Sequence, residues 1–222
     1  YLSFVIEADS TQPGRIIAKH ADEHSLSVFR KMREATTRSL ESFRVRRESS
    51  SFVFYQEATG YWTKVTSILP YYAKNGIRSA PSHGRYIFFE YAHQANAATA
   101  ILNSSLFYVY FIAYSDCFHL SDTIAVSFPV TSELMEDELL GNLNEQLMID
   151  LNKYCERITI TSRRGGSLDR IEYDEYYGAR CKETIDQIDI RLAKIYGFTM
   201  DEIDFIVNYD IKFRIGGANE VE

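Results

Sequence analysis

The chain has 222 residues, of which 45% are hydrophobic and 25% charged, with a formal net charge of -7 at pH 7. This is ordinary for a globular protein of one large or two small domains. No apolar run approaches the roughly 20 residues of a membrane-spanning helix, and Glu7 and Asp9 interrupt the first apolar patch, which argues against a signal peptide. We therefore expect a cytoplasmic protein with no membrane partner and, because it begins at Tyr1, a fragment of a longer one.

The first half of the chain is predicted to be rich in strands. Residues 1–6 have the pattern of a short strand, and residues 25–47 are helical or mixed. Residues 51–69 are dense in aromatic and β-branched side chains, which favour strands, with a turn near Gly60. Further along, Asn75 and Gly76 form a hairpin signal.

The chain then passes from strand to helix. Residues 85–90 follow the hairpin signal as a further predicted strand, and residues 92–114 form one long or two short helices. Within the latter, Asn103, Ser104 and Ser105 are expected to cap helices or to link them by hydrogen bonds.

The last third is predicted to be helical. Apolar residues recur at helical spacing after Ser132 as far as Ile158, which predicts an amphipathic helix of about 25 residues. Residues 163–166 are expected to form a loop, and the acidic run 169–175 a solvated one. A second helix starts near Lys182. Two long helices joined by a loop predict an antiparallel pair.

Two capping signals delimit the end of this region. Gly197 follows Tyr196 at a place where a left-handed residue closes a helix. Thr199 stands three residues before Glu202, the spacing of a capping box that begins another short helix. Taken together, the patterns predict an α+β fold, with a β-rich lobe in residues 1–130 and a C-terminal antiparallel α-helical hairpin in residues 131–222.

Several motifs that carry chemistry are missing from this chain. Its four prolines are never adjacent, so the Asn/Asp-Pro-Pro-aromatic motif of amino-methyltransferases is absent. It also lacks a phosphate loop and a Gly-x-Gly after a strand. The three cysteines form no CxxC pair, and Asp116, Cys117 and His119 lack the second ligand pair of a structural zinc site. We expect no catalysis by this chain alone, no metal and no cofactor.

Charge is distributed unevenly along the chain. Residues 1–100 hold 13 Lys and Arg against 9 Asp and Glu, whereas residues 101–222 hold 11 against 22. Binding to phosphates depends on a local basic surface rather than on net charge. The basic run from residue 30 to 47 is therefore a candidate phosphate-binding surface, and a solvated charged surface is the alternative.

Four stretches resemble one family of proteins. They are residues 50–70, which contain Gly-Tyr-Trp-Thr-Lys; residues 101–130, with Leu-Asn-Ser-Ser-Leu-Phe-Tyr; residues 171–198; and residues 192–214. They are similar to the TaqI-like target-recognition domain at the C-terminal end of type II and type IIG restriction-modification DNA adenine methyltransferases. The resemblance covers roughly residues 50 to 215. The chain departs from it at Gln56 and Glu57, where relatives often carry arginines, and at Phe118.

The resemblance implies a function. The chain would recognise a double-stranded DNA sequence and pack against an N-terminal methyltransferase domain of the same protein. That domain would bind S-adenosylmethionine and flip the adenine out of the duplex. In the alternative interpretation, the chain is a helical interaction or scaffold module that docks the methyltransferase domain or a partner subunit and binds no DNA itself.

Candidate DNA contacts follow from side-chain chemistry, since basic groups suit phosphates and turn residues can meet base edges. Core packing is the alternative for Tyr61 and Trp62. The candidates are Arg44, Arg46, Arg47, Tyr61, Trp62, Lys64, Lys74, Asn75, Arg78, Ser82, His83 and Arg85. The acidic C-terminal segment, residues 192–214, is expected to lie away from the DNA.

Overall fold

A computed structural model describes residues 5–8, 17–20, 22–81, 83–164 and 167–216, and it has an α+β fold. Its strands pair antiparallel in three sheets: β1–β2, β3–β7–β4 and β6–β5–β9–β8. The strands are β1 Val5–Ala8, β2 Ile17–His20, β3 Arg44–Val45, β4 Phe52–Gln56, β5 Tyr72–Lys74, β6 Ile77–Arg78, β7 Gly84–Phe89, β8 Glu156–Arg164 and β9 Ser167–Glu175.

Helices follow β2, fill the middle of the described chain and form its C-terminal end. They are α1 Glu23–Ala35, α2 Ala92–Asn103, α3 Ser105–Tyr114, α4 Asp122–Ser127, α5 Ser132–Met135, α6 Glu138–Lys153, α7 Lys182–Tyr196, α8 Met200–Asn208 and α9 Ile211–Gly216. Short 3-10 turns lie at Leu40–Ser42 and Gly178–Cys181.

Helices α2 and α3 form the centre of the core. Their joint is Ser104, whose extended backbone ends one helix and whose hydroxyl accepts the Phe107 N–H at 2.9 Å to start the next. Nearly every α3 side chain is buried, including Phe107, Tyr110 and Phe111. In the described chain no single helix is long and apolar enough to span a membrane. Helices α2 and α3 reach that length and hydropathy only when counted together, and they are bent by 68° at their junction. One hydrophobic cluster joins this pair to residues from Val28 to Ile206.

Several local predictions are confirmed. Residues 92–114 form two helices, and Asn75 and Gly76 form the turn between β5 and β6. Gly197 ends α7 with a φ of 71°. The capping box is present at the start of α8, where the Thr199 hydroxyl accepts the Glu202 N–H and the Glu202 carboxylate accepts the Thr199 N–H.

The prediction of one helix from residue 132 to about 158 is wrong. The chain breaks after α5, and Asp137 begins α6 by accepting the Leu140 N–H at 2.8 Å. Beyond α6, residues Glu156–Arg164 are a strand. Their alternation of Ile and Thr has the period of two that strands require, and β-branched side chains favour strands over helices.

The predicted loops 163–166 and 169–175 are also mostly strand. Arg163 and Arg164 end β8, residues 165 and 166 lie outside the described chain, and the acidic run belongs to β9. Helices α6 and α7 run antiparallel, since Asp137 at the start of α6 pairs with Arg191 late in α7, while Asp150 late in α6 accepts the Thr184 hydroxyl. The segment between them contains the β8–β9 hairpin rather than a simple loop.

Candidate nucleic-acid interface

Strands β8 and β9 form a two-stranded ribbon at one side of the four-stranded sheet. The two nine-residue strands are paired along their full length, from Glu156 opposite Glu175 to Arg164 opposite Ser167. At about 3.4 Å per residue the ribbon is roughly 30 Å long. Strand β9 continues the sheet to β5, and β5 to β6, so the ribbon is attached to the β5–β6 hairpin.

Four arginines share one face of this sheet. Side chains alternate between faces along a strand, and directly paired residues point the same way. Arg157 and Arg163 lie six positions apart on β8, so they point to the same face, and Arg170 lies opposite Thr161 between them. Glu172, which lies opposite Thr159, pairs with Ala73 of β5, and Ala73 pairs with Arg78 of β6. Arg78 therefore points to the same face. We call Arg78, Arg157, Arg163 and Arg170 the arginine face.

The arginine face carries a net positive charge. Arg157 Nε lies 2.6 Å from Asp174 Oδ1, and Arg170 Nη2 lies 3.0 Å from Glu172 Oε1. Arg78 and Arg163 are exposed and have no carboxylate partner within the described ranges. Four cations therefore face two carboxylates, and Arg163 lies beside the tip of the ribbon.

An aromatic ring anchors the base of the arginine face. The Arg157 guanidinium carbon lies 3.5 Å from the Tyr71 ring centroid, and that of Arg78 lies 5.3 Å from it. The Tyr71 N–H donates to Asp174 Oδ2 at 3.1 Å. Because Asp174 also accepts from Arg157, the three residues hold one another in place, and the guanidinium group of Arg157 lies against the ring.

The predicted contacts Lys74 and Asn75 lie on the same sheet but make structural bonds. Lys74 Nζ is 2.7 Å from Asp169 Oδ2. The Asn75 amide donates to Asp169 and accepts the Arg170 N–H, both at 2.9 Å. Asn75 and Gly76 have φ values of 53° and 79°, as a tight hairpin turn demands. Asn75 thus fixes the hairpin against β9.

The other predicted arginines lie on or beside the β3–β7–β4 sheet, and each has an acidic partner. Arg46 and Arg44 pair with Glu41 at 2.6 and 3.0 Å, although Arg44 Nε makes no aligned hydrogen bond there. The remaining contacts join Arg47 to both carboxylate oxygens of Glu90 and Arg85 to Glu57. These pairs neutralise part of the basic run that the sequence singles out.

Trp62 is partly buried and packs against the core, as the alternative to a DNA contact expects in part. Its indole N–H donates to the Arg214 carbonyl at 3.0 Å, and the Arg214 guanidinium lies 3.9 Å from its ring centroid. Gly178 leaves room for the ring, since a Cβ there would lie 2.8 Å from Trp62 Cγ. Tyr61 is half exposed and stacks on Phe213 with 6.1 Å between ring centroids.

The last predicted contacts are separate from the arginine face. Lys64 Nζ pairs with Glu175 at 2.5 Å. His83 has a φ of 59°, and its carbonyl accepts the Glu57 N–H at 3.4 Å. Ser82 lies outside the described residues. The eleven predicted contacts that the structure describes therefore do not form one surface, and of these eleven only Arg78 belongs to the arginine face.

Buried polar contacts join the stretches that carry the family resemblance. The Asn103 amide bonds both backbone groups of Val65. Asp189 accepts the N–H groups of Ser105 and Leu106 at 3.1 and 3.0 Å. The prediction that residues 103–105 cap and link helices is confirmed.

The segment 116–119 forms a local turn. Asp116 accepts the N–H groups of Phe118 and His119 and lies 2.8 Å from the His119 ring. The His119 N–H is the largest of the contributions that lower the Asp116 pKa well below its usual range. Across the described ranges, no group of three His, Cys, Asp or Glu side chains is arranged to hold a metal.

No protein-family model, curated protein or solved structure matches this chain. The likeness to target-recognition domains therefore stays a prediction. Arg157, Arg163 and Arg170 were not among the contacts predicted from the sequence. Their signal was the alternating stretch Arg-Ile-Thr-Ile-Thr-Ser-Arg, which places arginines at both ends of one strand face.

Proposed function

We propose that this chain recognises double-stranded DNA as the target-recognition part of a restriction-modification adenine-N6 methyltransferase. In this proposal, a methyltransferase domain outside the chain binds S-adenosylmethionine and performs the chemistry. The observation that carries the proposal is the arginine face, where four guanidinium groups meet two carboxylates. The sequence resemblance supports the same assignment.

The dimensions of the ribbon suit the major groove. That groove is about 12 Å wide and admits a two-stranded β-ribbon. Arginine binds phosphate oxygens and pairs through two bonds with the O6 and N7 of guanine. Arg163 lies beside the tip and is free of acidic partners within the described chain, so it would read base edges. Arg157 and Arg78 lie at the base of the ribbon and would bind the phosphate backbone.

Fluorescence anisotropy with a labelled random-sequence duplex at low salt tests this proposal. We expect Arg163→Ala and Arg170→Ala to weaken binding, because each removes a cation from the arginine face. The matched control is Arg46→Ala, whose guanidinium pairs with Glu41 away from the ribbon and whose loss should leave affinity unchanged. Equal affinities for all variants, or adenine methylation by the chain alone, would overturn the proposal.

A second candidate function is a scaffold that docks a methyltransferase domain or partner subunit without binding DNA. The observation in its favour is charge, since the net charge is -7 and most predicted basic contacts are paired with acids. A charge-reversed variant separates the two functions. If Arg163→Glu has the same duplex affinity as the original chain, the scaffold is the better assignment.

A further inference from the structure

An aromatic cleft opens where the ribbon meets strand β4. Its volume is about 290 Å³. Rings and aliphatic groups from both sheets line most of it, and polar groups lie at one end. The lining includes Phe54, Tyr72, Ile160, Ile171, Tyr173 and Tyr176. A second cleft of about 200 Å³, beside Trp62, shares Lys64, Glu175 and Tyr176 with the first. Flat aromatic walls with a polar end are suited to a planar ring that carries hydrogen-bonding edges.

Among the described residues, none bonds the hydroxyl group of Tyr176. Only 9% of the residue is exposed, and its ring lines both clefts. Burial raises the pKa of Tyr176 to about 12, so the phenol stays a proton donor at neutral pH. The hydroxyl is thus available to bond a ligand in the cleft.

Lys64 and Glu175 form the polar end that the two clefts share. Lys64 has a φ of 49°, a left-handed conformation that a residue with a side chain adopts at a cost. Its neighbours hold it there, because Thr63 donates to the Leu102 carbonyl at 2.5 Å and Val65 is bonded by Asn103. The fold thus maintains a strained residue whose ammonium group pairs with Glu175 where the two clefts adjoin.

We propose that this cleft binds a single unstacked nucleobase. Tyr72 and Tyr173 would stack on its faces, while the Tyr176 hydroxyl and the Lys64–Glu175 pair would bond its edge. Stacking on aromatic side chains suits any base, because every base has a π face. The DNA source of this base rests on the function proposed above. Two residues link that surface to the cleft.

Those two residues are Tyr71 and Asp174, which belong to both surfaces. Each lines the cleft, and each contacts Arg157 on the arginine face. The cleft lies on the opposite face of the sheet from the arginines, because Ile160 and Tyr173 alternate with Arg157 and Asp174 along their strands. A base that leaves a bound duplex would therefore reach the cleft past Tyr71 and Asp174. A free nucleoside offers the same ring chemistry, and the experiment distinguishes the two sources.

The test compares three probes on the whole chain: a paired duplex, the same duplex with one unpaired adenine, and free adenosine. We expect the bulged duplex to bind about tenfold more tightly than the paired one, because one base gains an aromatic stack. Tyr173→Leu should abolish this preference, and Tyr176→Phe should reduce it about threefold. Both variants should bind the paired duplex as the original chain does.

Two controls test whether the effects of these variants are specific to the cleft. Tyr176→Phe removes only a hydroxyl that no other described residue bonds, so it should leave the unfolding free energy unchanged and report on binding alone. Tyr91→Phe makes the same change at an exposed ring that stacks on His93, and it should leave the preference for the bulge unaltered. The emission of Trp62, the sole tryptophan, reports occupancy of the adjoining cleft.

The outcomes separate this inference from the proposed function. If the paired duplex binds but the bulge gives no advantage, the base-binding cleft is overturned and DNA recognition stands. If adenosine binds, perturbs Trp62 and depends on Tyr173 while no duplex binds, the cleft is a site for free nucleosides and DNA recognition fails. If neither adenosine nor the bulge responds to Tyr173→Leu, the cleft binds no base.

Discussion

The side-chain amide of Asn103 bonds both backbone groups of Val65. Its oxygen accepts the Val65 N–H at 2.9 Å, and its nitrogen donates to the Val65 carbonyl at 2.7 Å. On the other side of Lys64, the Thr63 hydroxyl donates to the carbonyl of Leu102. The end of α2 thereby fixes an irregular segment on both sides of its strained lysine. This contact joins two of the stretches on which the family resemblance depends.

Asn103→Ala should destabilise the protein strongly. It leaves two buried backbone groups of Val65 without partners, and each unpaired group costs about 1–3 kcal/mol. We expect the unfolding free energy to fall by roughly 2–4 kcal/mol in urea denaturation. Asn208→Ala is the matched control, because Asn208 bonds Asp204 on the surface. Similar losses for the two variants would contradict the structural role of Asn103.

The sequence was most informative where one local rule decides the structure. The capping box at Thr199, the αL glycine at Gly197 and the Asn75–Gly76 turn depend on residues within a few positions of one another. Local backbone chemistry is sufficient for each of these. The backbone conformation of residues 57–71 was not predictable in the same way, because side chains distant in sequence fix it, as Asn103 does through its bonds to Val65.

The partners of charged side chains were not predictable where tertiary structure sets them. Arg47 belongs to the basic run of the sequence, but the β3–β7 pairing brings it against Glu90 from 43 residues away. Conversely, the helix predicted from Ser132 to Ile158 extended into the strand that carries Arg157 and Arg163. Ion pairs across a sheet depend on strand register, which composition does not reveal. The candidate interface was therefore only partly predictable.

Two glycines should respond in opposite ways to alanine. Gly141 lies in α6, and a methyl group on its Cα would meet open space, so Gly141→Ala should raise the unfolding free energy by roughly 0.5–1 kcal/mol. Gly178→Ala would press a methyl group against Trp62 and should lower it by about 1–3 kcal/mol. Urea denaturation measures both, and Trp62 emission should shift only for Gly178→Ala. A stabilised Gly178→Ala would contradict the close contact.

Glu202 should make stability rise with pH in the acid range. Burial raises its pKa, but bonds from Lys31, the Thr199 N–H and Ser27 outweigh this and bring the pKa to about 2. A lowered carboxylate pKa stabilises the folded state above about pH 4.5, and that stability is lost as the pH falls towards 2. Glu202→Gln should cost roughly 2–3 kcal/mol at about pH 7. If the difference in unfolding free energy between Glu202→Gln and the original chain did not decrease as the pH falls, this prediction would be wrong.

Asp189 should have the opposite effect at slightly higher pH. Burial raises its pKa to about 6, against the bonds from the Leu106 and Ser105 N–H groups. The folded state then holds its proton more tightly than the unfolded state, so stability falls as the pH rises from about 4 to 6. Asp189→Asn should flatten this decline in urea denaturation. The exposed control Asp204→Asn should retain it, and an unchanged decline in Asp189→Asn would argue against a buried proton.

Salt dependence should identify which arginines meet phosphate. On B-DNA, the slope of log affinity against log salt concentration is about -0.9 for each phosphate neutralised. Replacing Arg157 or Arg78 by alanine should therefore make the slope shallower by about one. Arg47→Ala should not change it, because Glu90 already holds that guanidinium through both carboxylate oxygens. Anisotropy titrations between low and moderate salt measure the slopes. If only Arg47→Ala made the slope shallower, the DNA-binding surface would lie on the β3–β7–β4 sheet rather than on the ribbon.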